Sequence, residues 1–455
     1  MLLLKNIEWV IQDATAMKKN CDILIDGNRI AEIGGSLTVE KSHEVEVIDC
    51  SGLIAVPGFV NSHTHLYQCL LRGIRDDLPL EPWCQEVTLP FYSKVRKLER
   101  VGDISRIAYI WSALASIEAI RSGTTCIFDN DYISNGVMEA WADSGMRGVM
   151  AIGFADQGLS PELTEETGYT KATILKTIKK WHNPNSRITC AIMPPTPYLC
   201  SKDALTWMKN VAEDYGLVIQ THLSETRSEA KTMLEAFGEP GAMYLDRLGL
   251  LGPRFSAVHC VHLLPGEAEL LAERGVSMVY NPKSNMKLGS GVAPIRKFVD
   301  LGINIALATD GPASNDLLDM FEEMRAAALI QKAVCENPAA LTARTAFHMA
   351  TAGGAKVCGI DSGTLVKGKL ADIVLLSQRT SNITPFNDPV ETIVYCAKES
   401  NVRTVIIDGQ IVMRDGVIHT IDEVHALDEA QRLWSEMVAG TEPPFMEARK
   451  LPSSE

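Results

Sequence analysis

The sequence predicts an α/β chain: a (β/α)8 TIM barrel carrying a small β-sandwich domain built from both termini. Three observations carry this. Eight apolar runs rich in β-branched residues end in turn at Thr64-His65, Asp129, Phe154, Pro194, His222, His259, Asn281 and Asp310. The stretches between them are long enough for a crossover helix, which is the serial signature of the barrel. Short strand-like runs gather at both ends of the chain. At the front these are residues 3–10, 22–25, 29–33 and 46–49, with Asp26-Gly27-Asn28 as a turn. At the back they are 371–376, 404–408 and 411–414, with Asp408-Gly409-Gln410 as a hairpin turn. Within the barrel, 104–121 has apolar residues at helical spacing. The division expected is 1–57 with 362–420 as a composite small β domain, 58–361 as the metal-dependent barrel, and 421–455 as a helical, partly exposed tail.

A chain of 455 residues with 46% hydrophobic content can bury a large core. Charged residues at 22% and aromatics at 6% give no sign of disorder. A net charge of −14 repels phosphate backbones, so a nucleic-acid partner is not expected. No run of eighteen apolar residues suggests a membrane span, and the first residues read too soon into a polar turn for a signal peptide. A cytoplasmic location is the default expectation. The 11 cysteines include no Cys-x-x-Cys pair, so reduced thiols are expected rather than disulfides or a cysteine-bound zinc.

Four of the 10 histidines fall at strand ends. His63 and His65 are two apart, so their imidazoles share a face of a strand. His222 closes Val218-Ile219-Gln220-Thr221-His222, and His259 closes Ala257-Val258-His259. Asp310 closes the eighth run. In a barrel of this kind the chemistry sits at the C-terminal ends of the strands. Imidazole and carboxylate together suit one divalent ion, Zn²⁺ first and Fe²⁺ second. Glu225 lies three residues after His222, where a carboxylic acid could protonate a ring nitrogen while water attacks the adjacent carbon. A solvated loop glutamate is its plain alternative.

Other features carry less. The segment 363–369 nearly matches a phosphate loop, but Leu370 stands where Ser or Thr must coordinate Mg²⁺, so a turn into a strand is expected. His262 faces away from a strand-borne site and suits a structural role. Cys69, Cys84 and Cys200 lack a basic neighbour and read as packing. The polar segment 281–289 either lines a pocket or turns the chain.

Several motifs resemble the amidohydrolase superfamily. They are Pro57-Gly58-Phe59-Val60-Asn61-Ser62-His63-Thr64-His65, Leu70-Leu71-Arg72-Gly73, His222-Leu223-Ser224-Glu225-Thr226, His259-Cys260-Val261-His262, Thr309-Asp310-Gly311-Pro312-Ala313-Ser314-Asn315-Asp316 and Lys369-Leu370-Ala371-Asp372. The likeness is to the branch holding adenosylhomocysteine, methylthioadenosine and guanine deaminases and the triazine hydrolases. It implies His63, His65, His222 and Asp310 as metal ligands and Glu225 as proton shuttle. His259 would then bond the attacking water or the developing anion. Water at the ion, its pKa brought toward about 7, would lose a proton to Asp310. Hydroxide would attack the amino-bearing carbon, and ammonia would leave. Binuclear relatives bridge two ions with a lysine on the fourth strand. Here that strand is Ile188-Thr189-Cys190-Ala191-Ile192-Met193-Pro194, so one ion is expected.

Two departures bear on substrate. Nucleoside deaminases of this branch tend to show Pro-His-x-Pro-Tyr after the fourth strand, where this chain has Pro194-Pro195-Thr196-Pro197-Tyr198. They also tend to carry an arginine for an amino-acid carboxylate at a position that here is Ile152. Gln68 resembles the triazine and oxopurine enzymes and could read a ring edge; Trp83 could stack on a planar ring. With Ser314 these form the expected substrate wall. The leading expectation is a deaminase of an amino-substituted base, pterin or triazine. A nucleoside deaminase, a triazine chlorohydrolase or N-dealkylating enzyme, and a catalytically silent scaffold are the alternatives. The partner expected is a small heterocycle, and a homodimer or larger homo-oligomer follows by analogy.

Overall fold

The computed structural model describes residues 1–39, 45–101, 104–130, 135–159, 164 and 167–438. The chain opens with β1 (Leu2–Ile11), β2 (Met17–Asp26), β3 (Arg29–Gly34), β4 (Glu46–Asp49) and β5 (Leu53–Pro57). Eight strands then alternate with helices: β6 (Phe59–Thr64), β7 (Thr124–Asn130), β8 (Arg147–Ile152), β9 (Ile188–Ile192), β10 (Ile219–Leu223), β11 (Phe255–His259), β12 (Ser277–Tyr280) and β13 (Ile305–Leu307). Four return at the end: β14 (Ile373–Ser377), β15 (Val402–Ile407), β16 (Gln410–Arg414) and β17 (Val417–Ile418).

Continuous apolar strands are stable only where both faces are covered. Every residue of β7 and β8 is buried. Along β7, Cys126 and Phe128 pack in one apolar cluster and Ile127 in another, so neighbouring residues serve opposite faces. The eight strands pair in parallel from β6 through to β13. The two ends of that path meet through polar groups. Asn61 Nδ2 donates to Thr309 Oγ1 at 2.7 Å, and Thr309 N donates to Asn61 Oδ1 at 3.0 Å. Asp310 N donates to His63 O at 3.1 Å. The barrel therefore closes at the rim that carries His63 and Asp310. The expected (β/α)8 architecture is present.

The remaining strands form one mixed nine-stranded sheet in the order β17-β16-β15-β14-β5-β1-β2-β3, with β4 beside β1. Antiparallel pairing of β5 with β14, from Ile373↔Pro57 to Ser377↔Leu53, stitches the two ends of the chain together. This sheet encloses an apolar interior of its own, including Leu4, Ile7, Ile23, Ile373, Leu375 and Ile406. β5 and β17 go beyond the sequence-based strand assignment. β5 was hidden because only Gly58 separates it from β6, with no turn signal between. A Cβ at Gly58 would lie 2.1 Å from Thr125 Oγ1, so the crossing from one sheet to the other has no room for a side chain.

An ion pair ties barrel to sheet. Arg147, at the start of β8, donates to Asp372 from Nε at 2.9 Å and from Nη2 at 3.0 Å, and to Asp408 at 2.9 Å. Arg147 and Asp372 are buried. The helix Glu423–Val438 packs Ala426, Ala430, Leu433 and Met437 inward and leaves Val424 and Leu427 exposed. The rest of the expected tail, 439–455, lies outside the described residues. No helix among them is long and apolar enough to cross a membrane.

Arg147→Ala would strand a buried carboxylate and should cost about 3–5 kcal/mol, read as a lower urea midpoint. Arg147→Met combined with Asp372→Leu should recover most of it. An unchanged midpoint for Arg147→Ala would contradict this tie.

Candidate metal centre and active-site cavity

Polar side chains from β6, β10, β11 and the turn after β13 gather at one rim of the barrel. Nε2 of His63 and Nε2 of His65 both lie 3.5 Å from Asp310 Oδ1, and Nε2 of His65 lies 3.4 Å from Nε2 of His222. His63, His65 and Asp310 form one group with donor atoms within 4.8 Å of each other; His63, His222 and His259 form a second.

The far side of each ring explains its aim. His63 Nδ1 lies 2.7 Å from Gln220 Oε1 and 2.5 Å from Asn130 Nδ2. Because Gln220 Nε2 is committed as a donor to Ser62 O, Nδ1 donates to Gln220 Oε1. His65 Nδ1 donates to Asn130 O at 2.6 Å and His222 Nδ1 to Pro195 O at 2.7 Å. With the proton held on Nδ1, each Nε2 turns a lone pair inward. His63 Nε2 is buried without a hydrogen-bond partner. Burial favours the neutral form of two of these rings: His65 is pushed down to about 4, with the neighbouring His63 ring adding to the effect, and His222 falls well below the usual range. Burial alone would raise the Asp310 carboxyl, but the facing His63 and His65 rings keep it well below the carboxylate range. Three inward lone pairs and a carboxylate repel one another unless a cation lies between them. This donor set fits a divalent ion of the Zn²⁺ or Fe²⁺ type.

His259 is arranged differently. Its Nδ1 accepts from Asn285 Nδ2 at 2.9 Å and lies 3.4 Å from Asn281 Nδ2. The ring proton therefore sits on Nε2, which faces Glu225 Oε2 at 3.4 Å. Burial lowers His259 to about 3, so the ring is a neutral donor. Glu225 accepts from Ser290 Oγ at 3.0 Å. Burial, and then the charge of Asp310, raise its carboxyl well above the ordinary value. Asp310 Oδ2 accepts from Ser284 Oγ at 2.6 Å.

Backbone strain marks the same rim. Ser224, His259, Cys260 and Asp310 have φ of 51°, 72°, 49° and 62°. Non-glycine residues adopt such values only when their surroundings demand it. β13 ends at Leu307, and Asp310 reaches the centre from the left-handed turn beyond it rather than from the strand end expected from sequence.

A cavity of about 340 Å³ opens over this centre. Among its walls are Trp83, Phe154, Leu80, Leu89, Leu159 and Leu199. Gln68 and Ser314 line it with their polar atoms engaged. Gln68 Oε1 accepts from Ala313 N at 3.2 Å, its Nε2 donates to Tyr67 OH at 3.3 Å, and Ser314 Oγ donates to Gly311 O at 3.0 Å. Ile152 is buried, whereas Pro195 lines the cavity and orients His222 through its carbonyl.

A model of the amidohydrolase family matches residues 54–412. The chain belongs to the amidohydrolase family. This amidohydrolase is 40% identical over 428 residues to a 5′-deoxyadenosine deaminase of Methanothermobacter thermautotrophicus, covering 94% of this chain and 97% of the relative. It is 38% identical to a 5-methylthioadenosine/S-adenosylhomocysteine deaminase of Thermococcus sibiricus, covering 90% and 94%. Among solved structures it is similar to an adenosine deaminase from Xanthomonas campestris with bound zinc, at a TM-score of 0.87 and 27% identity, covering 96% and 98%.

In this amidohydrolase the structure brings His63, His65, His222, His259, Asp310 and Glu225 together, and sets Gln68, Trp83 and Ser314 on the cavity wall. His262 is structural, its Nε2 donating to Ser290 O at 2.7 Å. Segment 363–369 is a turn, with Lys369 paired to Asp361. Cys69 and Cys200 are buried, while Cys84 lies on the cavity with its thiol raised to about 12 by burial. Sequence reasoning missed Gln220, Asn130, Ser284, Asn285 and Ser290, which orient the groups above. Gln220 left a signal: a long polar side chain in the interior of the fifth barrel strand, two residues before His222.

Gln220→Leu removes the acceptor that fixes the His63 tautomer. Metal affinity, read by chelator competition, should fall about 10–100-fold. Unchanged affinity would contradict the orienting role.

Proposed function

We propose that this amidohydrolase hydrolytically removes the amino group from an adenine-type ring carried by a nucleoside whose 5′ substituent is uncharged. His63, His65, His222 and Asp310 would hold one divalent ion, Zn²⁺ first, within a catalytic barrel spanning 58–361. Residues 1–57 and 362–420 would form the small β domain. The observation that carries the reaction is Glu225: a buried carboxyl, raised into its protonated form, beside a neutral histidine and facing the same centre.

A bound divalent ion would bring the pKa of a water toward about 7. Asp310 Oδ1, which faces Nε2 of His63 and of His65, would take the proton of the attacking water, while Ser284 steadies Oδ2. His259 Nε2–H can donate to the attacking oxygen. Glu225 can give its proton to the ring nitrogen next to the amino-bearing carbon, and a proton passed to the amino group lets ammonia leave. Trp83 and Phe154 offer faces for a planar ring.

Two observations order the substrates. The relatives reported above are nucleoside deaminases by name, which favours a nucleoside over the free base, pterin or triazine placed first from sequence. The described lining residues include the acidic side chains Glu81, Glu225, Glu229 and Asp310 and no lysine or arginine. A substrate carboxylate would meet like charge there, so 5′-deoxyadenosine and methylthioadenosine fit better than adenosylhomocysteine.

Ammonia release from 5′-deoxyadenosine, methylthioadenosine, adenosylhomocysteine, adenine and guanine tests this. Both uncharged nucleosides should exceed the rest in kcat/KM by at least about tenfold, roughly 1.4 kcal/mol of transition-state binding. Preference for a free base would overturn the nucleoside reading. Glu225→Gln should keep its metal and lose about 10²–10⁴ in kcat; near-normal turnover would remove Glu225 from the mechanism.

A further inference from the structure

Glu229 is a buried carboxylate that the steps above do not use. It lies in the first turn of the helix Arg227–Phe237, three residues after the N-cap Thr226, whose hydroxyl accepts from Glu229 N at 3.1 Å. A glutamate at that position ordinarily reaches back to the N-cap N–H. Here it reaches further. Oε1 accepts from Ser224 N at 2.7 Å, and Oε2 accepts from Glu225 N at 2.9 Å. Two successive N–H groups converge on one carboxylate because Ser224 is left-handed, with φ of 51°. Such a pair makes a small anion-binding concavity. The opposite side of the same turn is also fixed, since Ser224 O accepts from His262 N at 2.8 Å.

We infer that Glu229 is a positioning residue for the proton shuttle: by clasping the backbone of Ser224 and Glu225 it sets the direction in which the Glu225 carboxyl meets the reacting ring. This rests on the reading of Glu225 as the group that delivers the proton. The clasp holds the strained turn without touching the metal-facing imidazoles, so its loss should disturb proton delivery and spare the ion. A glutamine at 229 keeps one acceptor but points an NH₂ at the other N–H. Displacement of a catalytic group by about 1 Å can cost on the order of 10²-fold.

The experiment is a cycle of Glu225→Gln, Glu229→Gln and the double variant in the full-length metal-loaded protein. It is assayed with 5′-deoxyadenosine and with its 6-chloro analogue, which draws on the Glu225 proton at the ring nitrogen but, unlike the amine, needs no second proton delivered to its leaving group. Glu229→Gln should lower kcat on the amine about 10–100-fold, change KM less than about threefold and keep one metal per chain. The chloride should suffer at least several-fold less. The double variant should be no slower than Glu225→Gln alone, because both changes act on one group. Additive losses, equal losses on both substrates, lost metal or a wild-type rate would each overturn the positioning role. Where Glu229→Gln does not fold, Glu229→Asp, one methylene short, is read by the same amine-to-chloride split. Wild-type protein that releases no ammonia from any heterocycle would overturn the deaminase reading itself, and this inference with it.

Discussion

Three imidazole lone pairs and one carboxylate, buried and turned toward one point, form an arrangement that is repulsive on its own. Much of the barrel rim is organised around making it possible. Each ring gives its Nδ1 proton to an acceptor behind it: Gln220 for His63, the Asn130 carbonyl for His65 and the Pro195 carbonyl for His222. Those acceptors come from three neighbouring parts of the barrel, so ring direction is a property of the closed fold rather than of any one strand. A cation at the focus would convert the repulsion into binding and give the unpartnered lone pair of His63 Nε2 a partner.

The same rim separates two kinds of histidine by the hydrogen bonds behind them. Each metal-facing ring has a carbonyl or amide oxygen at Nδ1, joined at His63 by the amide nitrogen of Asn130, whereas His259 Nδ1 meets the amide nitrogens of Asn285 and Asn281 and turns Nε2 toward Glu225. Two carboxyls are separated by their surroundings as well. The facing imidazoles hold the Asp310 carboxyl well below the usual carboxylate range, while burial and the negative charge of Asp310 push the Glu225 carboxyl well above it. One acid and one base thus face one centre, which is the division of labour a hydrolytic deamination needs. Left-handed backbone at His259 and Asp310 is the local cost, on the order of 1–3 kcal/mol each, and the Asn61–Thr309 latch across the barrel seam holds the residue next to Asp310.

Barrel and site were legible in the sequence to different depths. Eight apolar runs, six of them ending in His, Asp or Asn, revealed the barrel because buried parallel strands are largely apolar, with polar side chains gathered toward their C-terminal ends. His63, His65, His222, His259 and Asp310 stood out for that reason. Asn130, Ser284 and Asn285 did not, because a serine or asparagine in a loop has the same appearance whether it orients a ligand or turns the chain. Asp310 was placed at a strand end, whereas the strand stops at Leu307 and a left-handed turn delivers the carboxylate, a conformation that apolar periodicity does not encode. β5 escaped notice because pairing with β14, more than 300 residues away, is what makes it a strand.

Anomalous diffraction from crystals of the metal-loaded protein, collected on either side of the zinc edge, tests the central claim most directly. The account predicts one peak per chain, within coordinating distance of Nε2 of His63, His65 and His222 and of an Asp310 oxygen. No peak there in stoichiometrically loaded protein, or an ion bound away from these four side chains, would contradict it.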